Sequence, residues 1–154
     1  MPFDRRVFFE INIRQETLSG LWGLFFSAFI SSTIAPGGSE AVLAYMISEG
    51  HYQVQQLVIV AAIANTLGAM TTWGLGMLAA KKFPVASLLP KKKQNALDTV
   101  KKRGIWVLFF SWLPIIGDAL CFAGGWLRLP ILPACLVIFA GKFGRYAVIA
   151  WMFV

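Results

Sequence analysis

Long apolar stretches, separated by short polar or Gly- and Pro-rich breaks, make up most of this chain of 154 residues. A helix needs about 20 mostly apolar residues to cross a bilayer. Two stretches meet that length: residues 55–80, which hold no formally charged side chain, and residues 129–154. The pattern therefore predicts a transmembrane helix over each of these two ranges.

The first apolar stretch, residues 18–35, ends in a break of small residues and one acid. The break consists of Pro36, Gly37, Gly38, Ser39 and Glu40. Pro lacks a backbone N–H and Gly costs about 1 kcal/mol relative to Ala, so a continuous helix is disfavoured there. The apolar residues 41–47 that follow rise only about 10 Å as a helix, too little to cross. We predict a re-entrant hairpin over residues 18–50; a full crossing by residues 18–35, which the N-terminal arginines favour, is the alternative.

A second break of similar composition, with Pro114, Gly117 and Asp118, lies 78 residues beyond the first. The apolar arms on either side would each rise about 14 Å, so they predict a second re-entrant hairpin over residues 104–128. The expected fold is all-α and forms a single membrane domain, residues 1–154. A hairpin and a transmembrane helix occur twice in opposite orientation, which is the inverted repeat of many secondary transporters.

Two polar segments complete the chain. Residues 1–16 carry charges of both signs among apolar residues at helical spacing, which is typical of a helix lying on the membrane surface. Residues 81–103 hold eight of the 14 basic residues and a single acid. Cytoplasmic loops are enriched in Lys and Arg, so we expect this loop to lie in the cytoplasm and to anchor the protein to lipid.

The composition supports a membrane protein. Hydrophobic residues make up 58% of the chain, the mean hydropathy is +0.69, and only 14% of residues are charged, against about 25% in an average soluble domain. The net charge of +7 would suggest nucleic acid in a soluble protein. Here the basic residues lie beside apolar segments, so the expected partners are membrane lipids with anionic headgroups, not nucleic acid. Glycines in the spans are compatible with a homodimer.

Four charged residues lie at predicted membrane depth: Glu40, Asp118, Lys142 and Arg145. An isolated charge there costs about 3 kcal/mol or more, so the four are expected to neutralise one another. Lys142 and Arg145 are three residues apart and share one face of a helix. We predict that the two acids, at the two breaks, face this basic pair across a polar cavity.

Several uncharged residues accompany these charges. Asn65 and Gly68 lie inside the first predicted span, where small residues permit close helix approach and Asn can hydrogen-bond between helices. Both residues can serve packing alone, or Asn65 can line the polar cavity. The hydroxyls of Ser31, Ser32 and Ser39 have no evident base, and we interpret them as capping and helix-contact groups.

Three interpretations of the charged cluster compete. It can be a structural network of salt bridges, an anion site for a phosphate-like headgroup, or a pair of carboxylates that take up and release protons. The last two are compatible in one transporter. The sequence holds no evident metal cluster, catalytic triad or phosphate loop, so we predict neither an enzyme nor a cofactor.

Several groups of residues in the apolar region form motifs. These are Ser32-x-x-x-Pro36-Gly37-x-Ser39-Glu40, Asn65-x-Leu67-Gly68, Ser111-Trp112-Leu113-Pro114-x-x-Gly117-Asp118, Ala123-Gly124-Gly125-Trp126-Leu127-Arg128 and Gly141-Lys142-x-x-Arg145-Tyr146. Over about residues 20–151 the chain resembles the YqaA family of small bacterial inner-membrane proteins, which are related to the DedA family of the VTT, or SNARE-associated, superfamily. The resemblance implies a multi-pass inner-membrane protein with two facing re-entrant hairpins and a link to lipid movement.

One departure from the DedA pattern concerns the second break. DedA proteins typically carry an arginine three residues before and three residues after its Pro, where this chain has Ser111 and Gly117. If those arginines hold a phosphate, then Arg128, Lys142 and Arg145 are the candidates to replace them here.

The resulting prediction is a transporter or flippase-like protein that moves a lipid or lipid-linked anion, with proton coupling. Glu40 and Asp118 would handle protons or gate the cavity. Lys142 and Arg145, with Arg128, would bind the anionic headgroup. The alternatives are an accessory membrane protein that organises lipid without moving it, and a small-cation/proton exchanger.

Overall fold

A computed structural model of the protein describes residues 5–32, 37–83, 102–113 and 116–154, and every regular element within these ranges is helical. The helices are α1 (Arg5–Ser31), α2 (Gly38–Glu49), α3 (Val54–Lys82), α4 (Ile116–Trp126) and α5 (Ile131–Phe153). Helical residues 102–107 run into a 3-10 turn, Leu108–Trp112. Most of the predicted basic loop, together with Pro36 and Pro114, lies outside the described residues.

Two helices in the described part of the chain are long and apolar enough to cross a membrane. They are α3, with 29 residues, and α5, with 23 residues. The two predicted spans are thus confirmed as helices of sufficient length. α5 begins directly after Pro130, whose missing N–H is no loss at a helix start, since the first N–H groups have no partner within the helix.

The first helix runs through the predicted boundary near residue 17. α1 is one continuous helix of 27 residues, so no helix end lies at that position. Thr17 donates its hydroxyl proton to the Ile13 carbonyl at 2.8 Å, and Ser19 donates to the Glu16 carbonyl at 2.8 Å. The hydroxyl groups of Thr17 and Ser19 therefore find hydrogen-bond acceptors within α1, and no Pro lies near residue 17 to end the helix.

Both predicted breaks interrupt the helices. After α1 ends, Gly37 has a φ of 100°, a left-handed conformation that favours glycine, and α2 begins at the next residue. Before the second break the helical backbone tightens into the 3-10 turn, which the sequence did not predict. The Gly117 N–H then donates to the Leu113 carbonyl at 2.9 Å as α4 begins.

α3 is the central element and packs against α1, α4 and α5. It crosses α4 closely, because Gly76 and Gly125 bring the two backbones together: a Cβ at either position would overlap the other helix's backbone. Two apolar clusters form the core. One lies among α1, α2, α3 and α5 and includes Leu24, Leu43 and Leu57; the other lies among α3, α4, α5 and the 3-10 turn.

The polar residues predicted to carry chemistry lie where the two apolar clusters meet. Along α3, Ala64 belongs to the first cluster and Ala69 to the second, and Asn65 lies between them. Along α5, Ile138 belongs to the second cluster and Tyr146 to the first, and the buried side chain of Lys142 lies between them. The fold thus encloses a polar layer between two apolar ones.

The outer face of α5 is strongly apolar. Its large exposed side chains include Leu132 at 76% exposure and Trp151 at 82% exposure. A continuous surface of this kind is unusual for a protein in water and suits contact with lipid chains.

Candidate functional site

Lys142 is the centre of the polar layer. It is 3% exposed, and its ammonium donates hydrogen bonds to the Asn65 amide oxygen and, at 3.2 Å, to the Ser32 hydroxyl. Its Nζ lies 3.9 Å from Oδ1 of Asp118. A buried ammonium is tolerated only with such compensation, so this one side chain on α5 joins α1, α3 and α4 at a single point.

Asn65 is held in one orientation by its two partners. Its Nδ2 donates to the Ala28 carbonyl of α1 at 2.8 Å, which leaves Oδ1 to accept from Lys142. The amide therefore presents its acceptor to the cation. Of the two interpretations of Asn65 given by the sequence, the structure places it on the polar cavity.

Three glycines bring helices and turns close enough to form the site. A Cβ at Gly68 would lie 2.6 Å from the Phe29 carbonyl oxygen, so any side chain there would push α1 away from α3. A Cβ at Gly141 would lie 2.6 Å from the Phe109 carbonyl oxygen, and one at Gly117 would overlap the Ser111 backbone. The 3-10 turn is thereby pressed against both α4 and α5.

Asp118 lies in the first turn of α4, where a carboxylate is favoured by the exposed N–H groups of the helix start. Its side chain is 28% exposed, and the Ser32 hydroxyl donates to it at 3.5 Å. The Ser32 hydroxyl thus bridges Lys142 and Asp118 by accepting from one and donating to the other. The sequence identified Ser32 only as a contact or capping group.

Arg145 forms the second acid–base pair, on the same face of α5 as Lys142. Its Nη2 makes an ion pair with the Glu40 carboxylate of α2, and its Nη1 donates to the Trp112 carbonyl at 3.0 Å. The Arg145 and Glu40 side chains are 17% and 32% exposed. Each base of α5 therefore meets an acid that follows one of the two helix breaks.

A further contact joins α2 to α5. The hydroxyls of Ser39 and Tyr146 are 2.8 Å apart, and Tyr146 is 1% exposed. The Ser39 N–H also donates to the Ser31 hydroxyl at 2.9 Å, which confirms the capping role predicted for Ser31. No role was predicted for Tyr146, although its position four residues after Lys142 places both on one helix face.

A polar cavity of about 10 Å³ lies inside the cluster, about the space that one water molecule needs. Its lining includes Asn65, Ser111, Asp118, Lys142 and Arg145. The Ser111 hydroxyl is buried and has no hydrogen-bond partner among the residues that the structure describes. A single water in the cavity would satisfy it.

A much larger space opens beside the second pair. This groove has a volume of about 740 Å³ and is open to the outside. It is lined mainly by apolar residues of α5 and the 3-10 turn, and the Glu40–Arg145 pair forms part of its wall. The first pair thus faces a water-sized cavity, and the second faces a space of the size that holds ligands.

The remaining predicted site residues are not all brought together. Gly37 borders both the cavity and the groove, and Gly38 is exposed at the start of α2. Arg128, which was predicted to join the headgroup site, is exposed in the turn after α4, with a φ of 54°, and lines neither the cavity nor the groove. Its ten-residue separation from Asp118 corresponds to about 15 Å of helix.

Comparison with known proteins places the chain in a family. It is 36% identical over 135 residues to the inner membrane protein YqaA of Escherichia coli K12, covering 88% of this chain and 91% of that protein, and matches the YqaA of Shigella flexneri equally well. A Haemophilus influenzae protein is 33% identical over 138 residues, 84% of each chain. No family model and no solved structure matches. The chain therefore belongs to the YqaA family of bacterial inner-membrane proteins.

Proposed function

We propose that this protein is a flippase-like transporter that moves a lipid or lipid-linked anion across the bacterial inner membrane, coupled to protons. The observation that carries the proposal is the arrangement of two acid–base pairs on one face of α5. One pair is enclosed, and the other opens onto an apolar groove. Ionisable groups at membrane depth are rare and mark transport pathways.

The proposal includes a multi-pass topology with an inverted repeat of the DedA/VTT type. α2 and α4 have 12 and 11 residues and rise only about 18 Å and 16 Å, less than a hydrocarbon core of about 30 Å. Each is preceded by a helix break and carries an acid in its first turn. In this arrangement α1–α2 and the 3-10 turn–α4 are the two re-entrant hairpins, and α3 and α5 are the two transmembrane helices.

The site residues then take the following roles. Glu40 and Asp118 exchange protons and gate the pathway, Arg145 holds the anionic headgroup from the groove, and Lys142 balances the charge of Asp118. Lipids are the partners, no reaction is catalysed, and no cofactor is needed. A homodimer would thicken the wall around the pathway, and the exposed apolar face of α5 is the surface available for it.

The test is lipid movement in reconstituted vesicles. A fluorescent phospholipid is reduced from outside, and the fraction that becomes accessible over time reports transfer between leaflets. We expect movement with the unchanged protein and its loss in Glu40→Gln and Asp118→Asn. Glu49→Gln is the matched control, because Glu49 is exposed at the end of α2 and accepts a hydrogen bond from the exposed Tyr45 hydroxyl, away from both acid–base pairs. Circular dichroism verifies that each variant is folded.

Two results would contradict the proposal. Full activity in both single variants would show that the acids do not serve transport. The absence of any lipid movement by the folded protein would favour the exchanger if cation flux is seen. It would otherwise favour the accessory role, which the closely partnered Lys142 and its water-sized cavity support.

A further inference from the structure

The two basic residues of α5 differ in access. Lys142 is 3% exposed and faces a cavity with room for about one water. Arg145 lines the groove of about 740 Å³, and one edge of its guanidinium is held by the Trp112 carbonyl. The other edge meets the Glu40 carboxylate. A ligand larger than water can therefore reach Arg145 through the groove, whereas the cavity at Lys142 admits only a molecule the size of water.

The position of the Glu40 carboxylate is the position that an anion would take. A guanidinium binds carboxylate and phosphate oxygens with the same planar geometry. Glu40 is 32% exposed and follows Gly37, whose left-handed backbone marks the break at which α2 begins. The carboxylate can be exchanged for another anion without exposing a core residue.

The rest of the groove suits an apolar chain. Its walls include Phe109 and Trp112 of the 3-10 turn and Gly144 and Val148 of α5. A Cβ built at Gly144 would meet no heavy atom within 4 Å, so this part of the groove is open. A ligand with one charged end and one apolar end would place the charge on Arg145 and the chain along α5.

Building on the proposed function, we infer that the Glu40 carboxylate is the resting occupant of an anion site on Arg145. A lipid with a single negative charge on a phosphodiester replaces it, with its chain in the groove, as Glu40 takes up one proton from water. Binding is then electroneutral: the neutral pair Arg145–Glu40 becomes a neutral pair of Arg145 and phosphodiester beside a protonated Glu40.

The surrounding charges set the stoichiometry of one proton per lipid. From α5, Lys142 and Tyr146 face the cluster, and from α4 Asp118 does; the α1 and α3 groups that line the cavity are uncharged. Lys142 is already paired with Asp118. A second negative charge, as on a doubly ionised phosphomonoester, would find no free cation among the described residues around the groove and would cost several kcal/mol in a low-dielectric site.

Calorimetric titration in uncharged detergent micelles tests the exchange. Dioctanoyl phosphatidylglycerol is the probe, and titration in two buffers of different ionisation enthalpy gives the protons taken up per lipid bound. We expect about one for the unchanged protein. Glu40→Gln should bind about tenfold more tightly with no proton uptake, and Arg145→Gln should bind at least about tenfold more weakly. Dioctanoyl phosphatidylcholine, which has no net charge, should bind more weakly than the anionic probe.

Two glycine variants test whether the lipid chain occupies the groove. Gly144→Leu narrows it beside Arg145 and should weaken probe binding at least about tenfold. Gly74→Leu is the matched control, because Gly74 on α3 also has no heavy atom within 4 Å of a built Cβ and lies outside the groove. Inorganic phosphate in place of the lipid should bind weakly and equally to both variants.

Three outcomes would overturn the inference: weaker lipid binding in Glu40→Gln, no proton uptake by the unchanged protein, or equal binding of the two glycine variants. Thermal unfolding of each variant separates loss of binding from loss of fold. Lipid movement without lipid binding at this groove would refute the exchange while leaving the proposed function intact. Binding with the expected proton uptake but no movement would refute transport and retain the site.

Discussion

The coupling energy between the Lys142 and Asp118 side chains can be estimated from the structure. The charged atoms are 3.9 Å apart, so their attraction is about 4 kcal/mol at an effective dielectric constant of about 20. Desolvation opposes this attraction, and Asp118 keeps some contact with solvent at 28% exposure. We therefore expect a coupling energy of about 2–3 kcal/mol between the two side chains.

A double-mutant cycle measures this coupling. The four proteins are the unchanged chain, Lys142→Met, Asp118→Asn and the double variant, each unfolded at equilibrium in mixed detergent micelles. Each single change should lower the free energy of unfolding by about 3 kcal/mol, because it leaves one buried member uncompensated. The double variant should lose less than the sum of the two. The free energy of unfolding of a typical domain is about 5–15 kcal/mol, so the Asp118→Asn variant should remain folded in the vesicle assay.

The Arg145–Glu40 pair provides the comparison. Its side chains are 17% and 32% exposed, so we expect solvent screening to reduce its coupling below that of Lys142–Asp118, to on the order of 1 kcal/mol. The cycle with Arg145→Gln and Glu40→Gln should therefore give the smaller value. Equal couplings, or a coupling below about 0.5 kcal/mol for Lys142–Asp118, would refute the distinction between an enclosed structural pair and an exchangeable one.

Three further predictions concern single residues. Gly68→Leu should lower the free energy of unfolding in micelles by at least about 2 kcal/mol, because its side chain would meet the α1 backbone. In the same measurement the control Gly74→Leu should change it by less than about 1 kcal/mol. Tyr146→Phe should cost about 1–2 kcal/mol in the same measurement, because it leaves the buried Ser39 hydroxyl without its partner; an unchanged stability would contradict that hydrogen bond. Arg128→Gln should leave lipid movement unchanged, since Arg128 lines neither space, and a loss of movement would restore it to the headgroup site.

The features that follow from composition were the predictable ones. Residues 55–80 and 129–154 were predictable as helices because a helix satisfies its backbone groups within one segment, as an apolar medium requires. The meeting of two acids with two bases was predictable because four isolated charges at membrane depth cost too much. Both breaks were visible in the Pro and Gly residues that interrupt the apolar arms.

The features that depend on packing were not predictable. Sequence spacing puts Lys142 and Arg145 on one face, but only the rotation of α5 against its neighbours decides which acid each one meets. Local patterns did not show that α1 continues through residue 17, where Thr17 and Ser19 bond within the helix. The Ser111 hydroxyl has no partner among the described residues, and Tyr146 contacts Ser39; both features arise where the 3-10 turn and α2 meet α5 across long sequence separations.

Lipid movement by the unchanged protein under a controlled proton gradient tests the proposed function most directly. Vesicles containing the protein and vesicles without it are compared with a pH difference across the membrane, and again after an uncoupler abolishes it. We expect protein-dependent transfer of an anionic phospholipid that accelerates with the gradient and slows when it is removed. Transfer no faster than in protein-free vesicles, with the protein folded, would contradict the proposal that it is a transporter. Fast transfer that ignores the gradient would contradict proton coupling.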